Sequence, residues 1–75
     1  MRGQYTVILV FGTSHAIRAE HVLHAAGIDC KLVPVPRHLS SNCGVCVRIN
    51  SDQAEKAQKE LEKANLQIEG VHELE

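Results

Sequence analysis

Apolar residues fall at consecutive positions in the first run of the chain, Gln4-Tyr5-Thr6-Val7-Ile8-Leu9-Val10-Phe11. A short, β-branched stretch that is apolar toward both sides predicts a strand in the middle of a sheet. Gly12-Thr13-Ser14 interrupts it, and Thr13 or Ser14 is placed to cap a helix. Residues 15–26 are Ala-rich, with Ala16, Ala19, Leu23 and Ala26 on one stripe and Gly27 as the stop. Residues 28–35 read as a second strand. Pro34 cannot donate to a ladder, which puts that strand at a sheet edge.

Residues 36–44 are polar and punctuated by Pro and Gly, so they read as a loop. Strict alternation returns at residues 45–50. Val45, Val47 and Ile49 face one way, and Cys46, Arg48 and Asn50 face the other. Ser51-Asp52 then opens a helix, with Glu55 as a capping-box partner and Ala54, Ala57, Leu61 and Ala64 as the core stripe. Ile68 and Val71 mark a last edge strand over residues 67–73. The order β-α-β-β-α-β predicts an α+β fold, a ferredoxin-like two-layer sandwich with an antiparallel sheet of order 4-1-3-2.

A chain of 75 residues holds one small domain, residues 1–75. Leu74-Glu75 have the look of a cloning remnant and carry no weight in the functional reading. Net charge is −1, and Tyr5 and Phe11 are the aromatic residues. Neither a basic excess nor a stacking platform points to nucleic acid. No apolar run approaches the ~18 residues of a membrane span, and no secretory pattern opens the chain. An odd cysteine count, with two at C-x-x-C spacing, suits a cytoplasmic thiol protein better than a disulfide framework.

The predicted topology brings the end of the first strand, the 36–44 loop and the turn near Asn65 to one end of the sheet. Cys43 lies in that loop, inside Cys43-Gly44-Val45-Cys46. A thiolate is the nucleophile, and a helix amino end with nearby cations stabilises it. Arg37 and Arg48 flank the loop and supply positive charge. Ser40, Ser41 and Asn42 add donors, the Gly44 N–H can approach an anionic adduct, and His15 opens the first helix alongside. The plain alternative is that Cys43 closes a turn and Cys46 fills a strand. Cys30 begins the second strand at the far end, about 20 Å from the loop, and reads as structural. Two thiols fall short of the four ligands of a closed zinc site.

The run Val33-Pro34-Val35-Pro36-Arg37, then Ser40-Ser41-Asn42-Cys43-Gly44, then Arg48, resembles the family of small selenium/sulfur carrier proteins, formerly a domain of unknown function. The resemblance extends to Thr13-Ser14-His15, Ala26-Gly27-Ile28 and Ile68-Glu69-Gly70-Val71, nearly the whole chain. It implies that Cys43 is the carrier thiol, holding sulfur as a persulfide or selenium as its analogue. Arg37, Ser41 and Gly44 are then its loop partners. Cys46 departs from the family pattern, in which one cysteine precedes the glycine, and leaves room for a dithiol step. The implied partners are donor and acceptor proteins, with no cofactor, nucleic acid or membrane. Such a protein is a carrier or a transferase subunit rather than a stand-alone enzyme. Two rivals stand beside this reading. One is a soft-metal or dithiol redox module on Cys43 and Cys46. The other is a structural or regulatory domain whose open sheet face (Tyr5, Val7 or Ile8, Cys46, Val33) forms a homodimer.

Overall fold

The computed structural model describes residues 4–39 and 44–74. Strand β1 (Tyr5–Leu9) is followed by helix α1 (Thr13–Ala25) and strand β2 (Cys30–Pro34). Strand β3 (Val45–Asn50) leads through a 3-10 turn (Ser51–Gln53) into helix α2 (Ala54–Lys63), and strand β4 (Gly70–Leu74) closes the fold. The four strands form one antiparallel sheet in the order β2-β3-β1-β4, which reads 4-1-3-2 from the β4 edge. Pro34 lies in an edge strand, where its missing N–H costs the ladder nothing.

β1 is apolar on both faces because it separates two cores. Toward the helices, Ile8 packs with Val47 and Ile49 of β3, Ala16, Ala19 and Leu23 of α1, and Ala57 and Leu61 of α2. On the opposite face Val7, Leu9 and Cys46 form a second, smaller core, and Val33, Val35, Leu39 and Leu74 pack against it. This corrects the expectation of an open sheet face at Val7 and Cys46, which are fully buried within the chain itself. Leu74 is likewise part of the fold, pairing with Tyr5 and packing on that core.

Several element ends differ from expectation, and each difference has a local cause. The α1 ladder starts with the Ala16 N–H donating to Gly12 O (3.1 Å), so Gly12 is the N-cap and Thr13 is already helical. The predicted Asp52–Glu55 capping box makes no side-chain cap hydrogen bond. The Ser51 hydroxyl instead bonds that of the buried Thr6 (2.8 Å), whose polar atom would otherwise lie unsatisfied under the helices. β1 stops at Leu9, although Val10 remains buried. β2 begins only at Cys30, because Ile28 belongs to the stop of α1. β4 begins at Gly70, after Ile68 has packed on the main core.

Both helices end in the same way. Gly27 (φ 80°) and Asn65 (φ 60°) take the left-handed conformation one residue past the cap. The Ile28 N–H then donates to Leu23 O (2.9 Å) and the Gly27 N–H to His24 O (3.0 Å). The Leu66 N–H donates to Leu61 O (3.0 Å) and the Asn65 N–H to Glu62 O (3.0 Å). These are two Schellman motifs, each with its hydrophobic pair, Leu23–Ile28 and Leu61–Leu66, inside the main core.

The two stops differ in what the left-handed residue costs. A Cβ at Gly27 would meet nothing within 4 Å, so Gly27→Ala adds backbone strain alone. Urea unfolding is expected to show a loss of about 1 kcal/mol for Gly27→Ala. Asn65→Gly should change stability by less than about 0.5 kcal/mol, because relief of strain offsets the extra entropy of the unfolded chain. Equal effects at the two sites would contradict the assignment.

Candidate functional site

The register fixes which connections meet. Leu9 is opposite Cys46 and Gly70, and Pro34 is opposite Val45. Residues 10–12, residues 35–39 with Gly44, and residues 64–69 therefore gather at one end of the sheet. The Val35 N–H donates to Gly44 O (3.1 Å) and closes the base of the 35–44 connection. The Glu69 N–H donates to Leu9 O (2.6 Å) and ties the third connection to β1. The connections named from topology share one end of the sheet as far as residues 35–39 and Gly44 go, and the expected meeting of Cys43 with them lies outside the described residues.

Within the 35–44 connection, the Leu39 N–H donates to Pro36 O (3.0 Å), giving a tight turn with Arg37 and His38 exposed at its tip. Leu39 turns inward onto Val7, Leu9 and Cys46. One apolar residue in a polar stretch thus anchors this connection to the sheet. Cys43, Ser40 and Ser41 lie outside the described residues. Gly44 is exposed at the base.

The remaining candidates occupy three different environments. His15 is exposed in the first turn of α1 and lines an 850 Å³ groove with Arg18, Glu55, Leu61, Asn65 and Ile68. It belongs to the helical layer, whereas Leu39 packs on the opposite layer. Cys46 is fully buried in the second core, with its thiol 3.9 Å from Pro34 O. The expectation of Cys46 on an open face is therefore corrected: alternation places it on that face, and Val33, Val35, Leu39 and Leu74 pack over it and its neighbours Val7 and Leu9. Arg48 is half-buried on β3, its guanidinium 4.3 Å from the centroid of the Tyr5 ring. Such a contact is worth about 0.5–1 kcal/mol at a partly exposed site. It holds Arg48 over the strand, two residues beyond Cys46.

Cys30 is insulated from chemistry. Its pKa is pushed up to about 11, first by burial and then by the nearby charges of Glu20 and Asp29. Its thiol lies 3.8 Å from Glu20 O and packs against the main core. Cys30 pairs with Ile49, at the far end from Val45. Among the described residues no group of three His, Cys, Asp or Glu side chains is placed to hold a metal ion. Among those residues, too, no helix is long and apolar enough to cross a membrane.

Two contacts escaped sequence reasoning. Leu39 looked like part of a polar loop, although a lone leucine among Arg, His and Ser is itself a signal of docking. The Tyr5–Arg48 pair lies on adjacent antiparallel strands, and only the register brings the two together.

A family model described as "Putative Se/S carrier protein-like" matches residues 5–73. No curated protein and no solved structure matches the chain.

The raised pKa of Cys30 has a measurable consequence. The unreactive thiol form dominates at neutral pH, so alkylation of Cys30 by iodoacetamide should be slow and rise about tenfold per pH unit toward about 11. The unfolded thiol loses its proton near the ordinary value of 9.0. Stability should therefore fall as pH climbs from there through about 11, by more in the wild type than in Cys30→Ser. Rapid labelling of Cys30 at pH 7 in the folded protein would contradict this environment.

Proposed function

The chain belongs to the Se/S carrier protein-like family, and from that premise we propose that it carries sulfur or selenium on Cys43. The match over residues 5–73 is the observation that carries this reading. The scaffold we assign is a single ferredoxin-like βαββαβ domain working in a reducing, cytoplasmic environment. Such a domain is a carrier or accessory subunit for donor and acceptor proteins.

The loading step balances without an oxidant. The Cys43 thiolate attacks the terminal sulfur of a donor persulfide, R–S–SH. A new S–S bond forms, the donor S–S bond breaks, and the donor leaves as a thiolate. Cys43 then bears a persulfide, largely as the anion. The Gly44 N–H, the Ser41 hydroxyl and the Arg37 guanidinium are the groups we assign to that anion, with Ser40 as a further donor. An acceptor thiolate attacks the terminal sulfur in turn and regenerates Cys43. Selenium follows the same path as a selenosulfide. Arg37 is exposed at the tip of the turn that leads toward Cys43, which supports its role.

Cys46 takes no part in loading on this reading. Its thiol is buried, and an external donor has no route to it while the second core is packed. Attack by Cys46 on the inner sulfur of a Cys43 persulfide would release sulfide and leave a disulfide across four residues. Such a small ring is strained and readily reduced. Any contribution of Cys46 therefore belongs to discharge.

Incubation with a persulfide donor should add about 32 Da per sulfur to the peptide containing Cys43, and about 79 Da with a selenium donor. Cys43→Ser should keep its fold by circular dichroism and gain no mass. Cys46→Ala should load like the wild type and change only the rate or product of discharge to an acceptor thiol. If Cys46→Ala fails to load, a dithiol redox or metal-binding mechanism replaces the carrier assignment.

A further inference from the structure

The sheet face opposite the helices carries more than the second core. One rung below the Val33–Cys46–Leu9–Gly70 row, the register aligns Lys31 of β2, Arg48 of β3, Val7 of β1 and His72 of β4. Alternation puts all four on the same face, about 7 Å along the strands from Cys46. Lys31 and His72 are exposed and Arg48 is half-buried. Lys31 and Arg48 are directly opposed like charges, an arrangement that destabilises a bare sheet. Among the described residues neither makes an ion pair with a carboxylate. Asp29 lies on the rim of the same 320 Å³ depression, beside Tyr5, Lys31, Arg48 and Asn50, without reaching ion-pair distance of either cation.

Arg48 is preorganised for recognition. Its guanidinium carbon lies 4.3 Å from the centroid of the Tyr5 ring, a contact that restrains the side chain. A planar fork held in this way suits a carboxylate and loses little side-chain freedom on binding. His72 leans along β4 over Gly70, its Nε2 3.3 Å from where a Cβ on that glycine would sit. From Lys31 to His72 the rung spans three strand spacings, about 14 Å. One small anion bridges Lys31 and Arg48 at most. An extended chain with several carboxylates meets all three groups. Two permanent cations are too few for a nucleic acid, whose binding typically neutralises about 6–10 phosphates.

The net charge of −1 conceals this asymmetry. Asp52, Glu55 and Glu62 are exposed on the helical layer, while on the sheet face Asp29 stands beside the two permanent cations Lys31 and Arg48 and leaves that depression one positive charge in excess. We propose that the Lys31–Arg48–His72 rung, with Arg48 braced on Tyr5, docks an acidic segment of a partner protein. The Arg48 fork and Lys31 share one carboxylate, and the His72 ring donates an N–H to another. The proposal does not rest on the thiol chemistry of Cys43 and stands whether or not Cys43 carries sulfur.

The test uses the full chain and a fluorescein-labelled hexaglutamate peptide, read by fluorescence anisotropy at low and high salt. Binding should appear at low salt and weaken at least tenfold between 50 and 500 mM salt, roughly the range over which exposed pairs become screened. Lys31→Gln and Arg48→Gln should each weaken it about fivefold, the upper range for an exposed ion pair. Lys59→Gln, on α2, should leave it unchanged. Loading by a small-molecule persulfide, which needs no docking, should be unaffected in Lys31→Gln, so failure of docking and failure of the carrier reading are read separately. Circular dichroism of each variant controls for folding, and the exposed Lys31 decides the outcome if Arg48→Gln loses structure. Absence of peptide binding, equal loss in Lys59→Gln, or equal occupancy by acetate or phosphate alone would overturn the proposal. So would a concentration-dependent dimer that Lys31→Gln dissolves, which would give the face to a second copy of the chain.

Discussion

Burial of β1 from both sides is the constraint on which the rest of the structure depends. Ile8 and Val10 face the helices, and Val7 and Leu9 face away, yet all four are 0–2% exposed. Burying an aliphatic side chain of this size stabilises a fold by roughly 1.5–3 kcal/mol, a large share of what a domain this small can accumulate. Such a strand has to be central, with β3 and β4 on its flanks. It also needs cover on the face without helices. The chain supplies that cover from β2, from Leu74 of β4, and from Val35 and Leu39 beyond the sheet. The connection that leads to Cys43 is thus tied to the hydrophobic demand of the central strand.

Gly27→Ala and Asn65→Gly probe how much of this was legible beforehand. Gly27 was readable because glycine after an Ala-rich helix has one common use. Asn65 was not, because asparagine serves many turns, and only the Leu61–Leu66 pairing shows that α2 stops as α1 does. The bounds of β3 were legible to the residue, since alternation starts after Gly44 and ends at Asn50. Helix starts were not. Thr13, Ser14 and the Asp52–Glu55 pair carried capping signals, but tertiary contacts decided otherwise, as the Thr6–Ser51 hydrogen bond shows. Alternation told which face Cys46 occupies and could not tell that residues far along the chain would bury it.

The three cysteines separate by environment rather than by spacing. C-x-x-C spacing suggested that Cys43 and Cys46 act together, yet Cys46 serves as a small apolar side chain in a packed core. Cys30 is held protonated by partial burial and two acidic neighbours. The carrier role proposed for Cys43 would benefit from both arrangements. Each additional reactive thiol would compete for the cargo or trap it as a disulfide. Environment removes Cys30 from that competition by pKa and Cys46 by lack of access, without the loss of packing that replacing either side chain would bring.

The two layers also divide the surface. The helical layer is satisfied internally: its helix ends are closed by Schellman bonds, and its carboxylates lie in solvent. The sheet face is closed along the Val33–Cys46–Leu9 row and at Val7, and it opens toward the β2 and β4 edges at Lys31 and His72. On the next rung, cross-strand register sets Lys31 against Arg48, a pairing that the fold alone gives no reason to keep. The stem of Arg48 and the ring of Tyr5 still add cover beside the buried Val7, so hydrophobic closure and charge presentation meet in one side chain. Arg48 thus belongs to the sheet face, two residues along β3 from Cys46. Its position is fixed by packing beside the central strand, and its charge is left for what comes from outside.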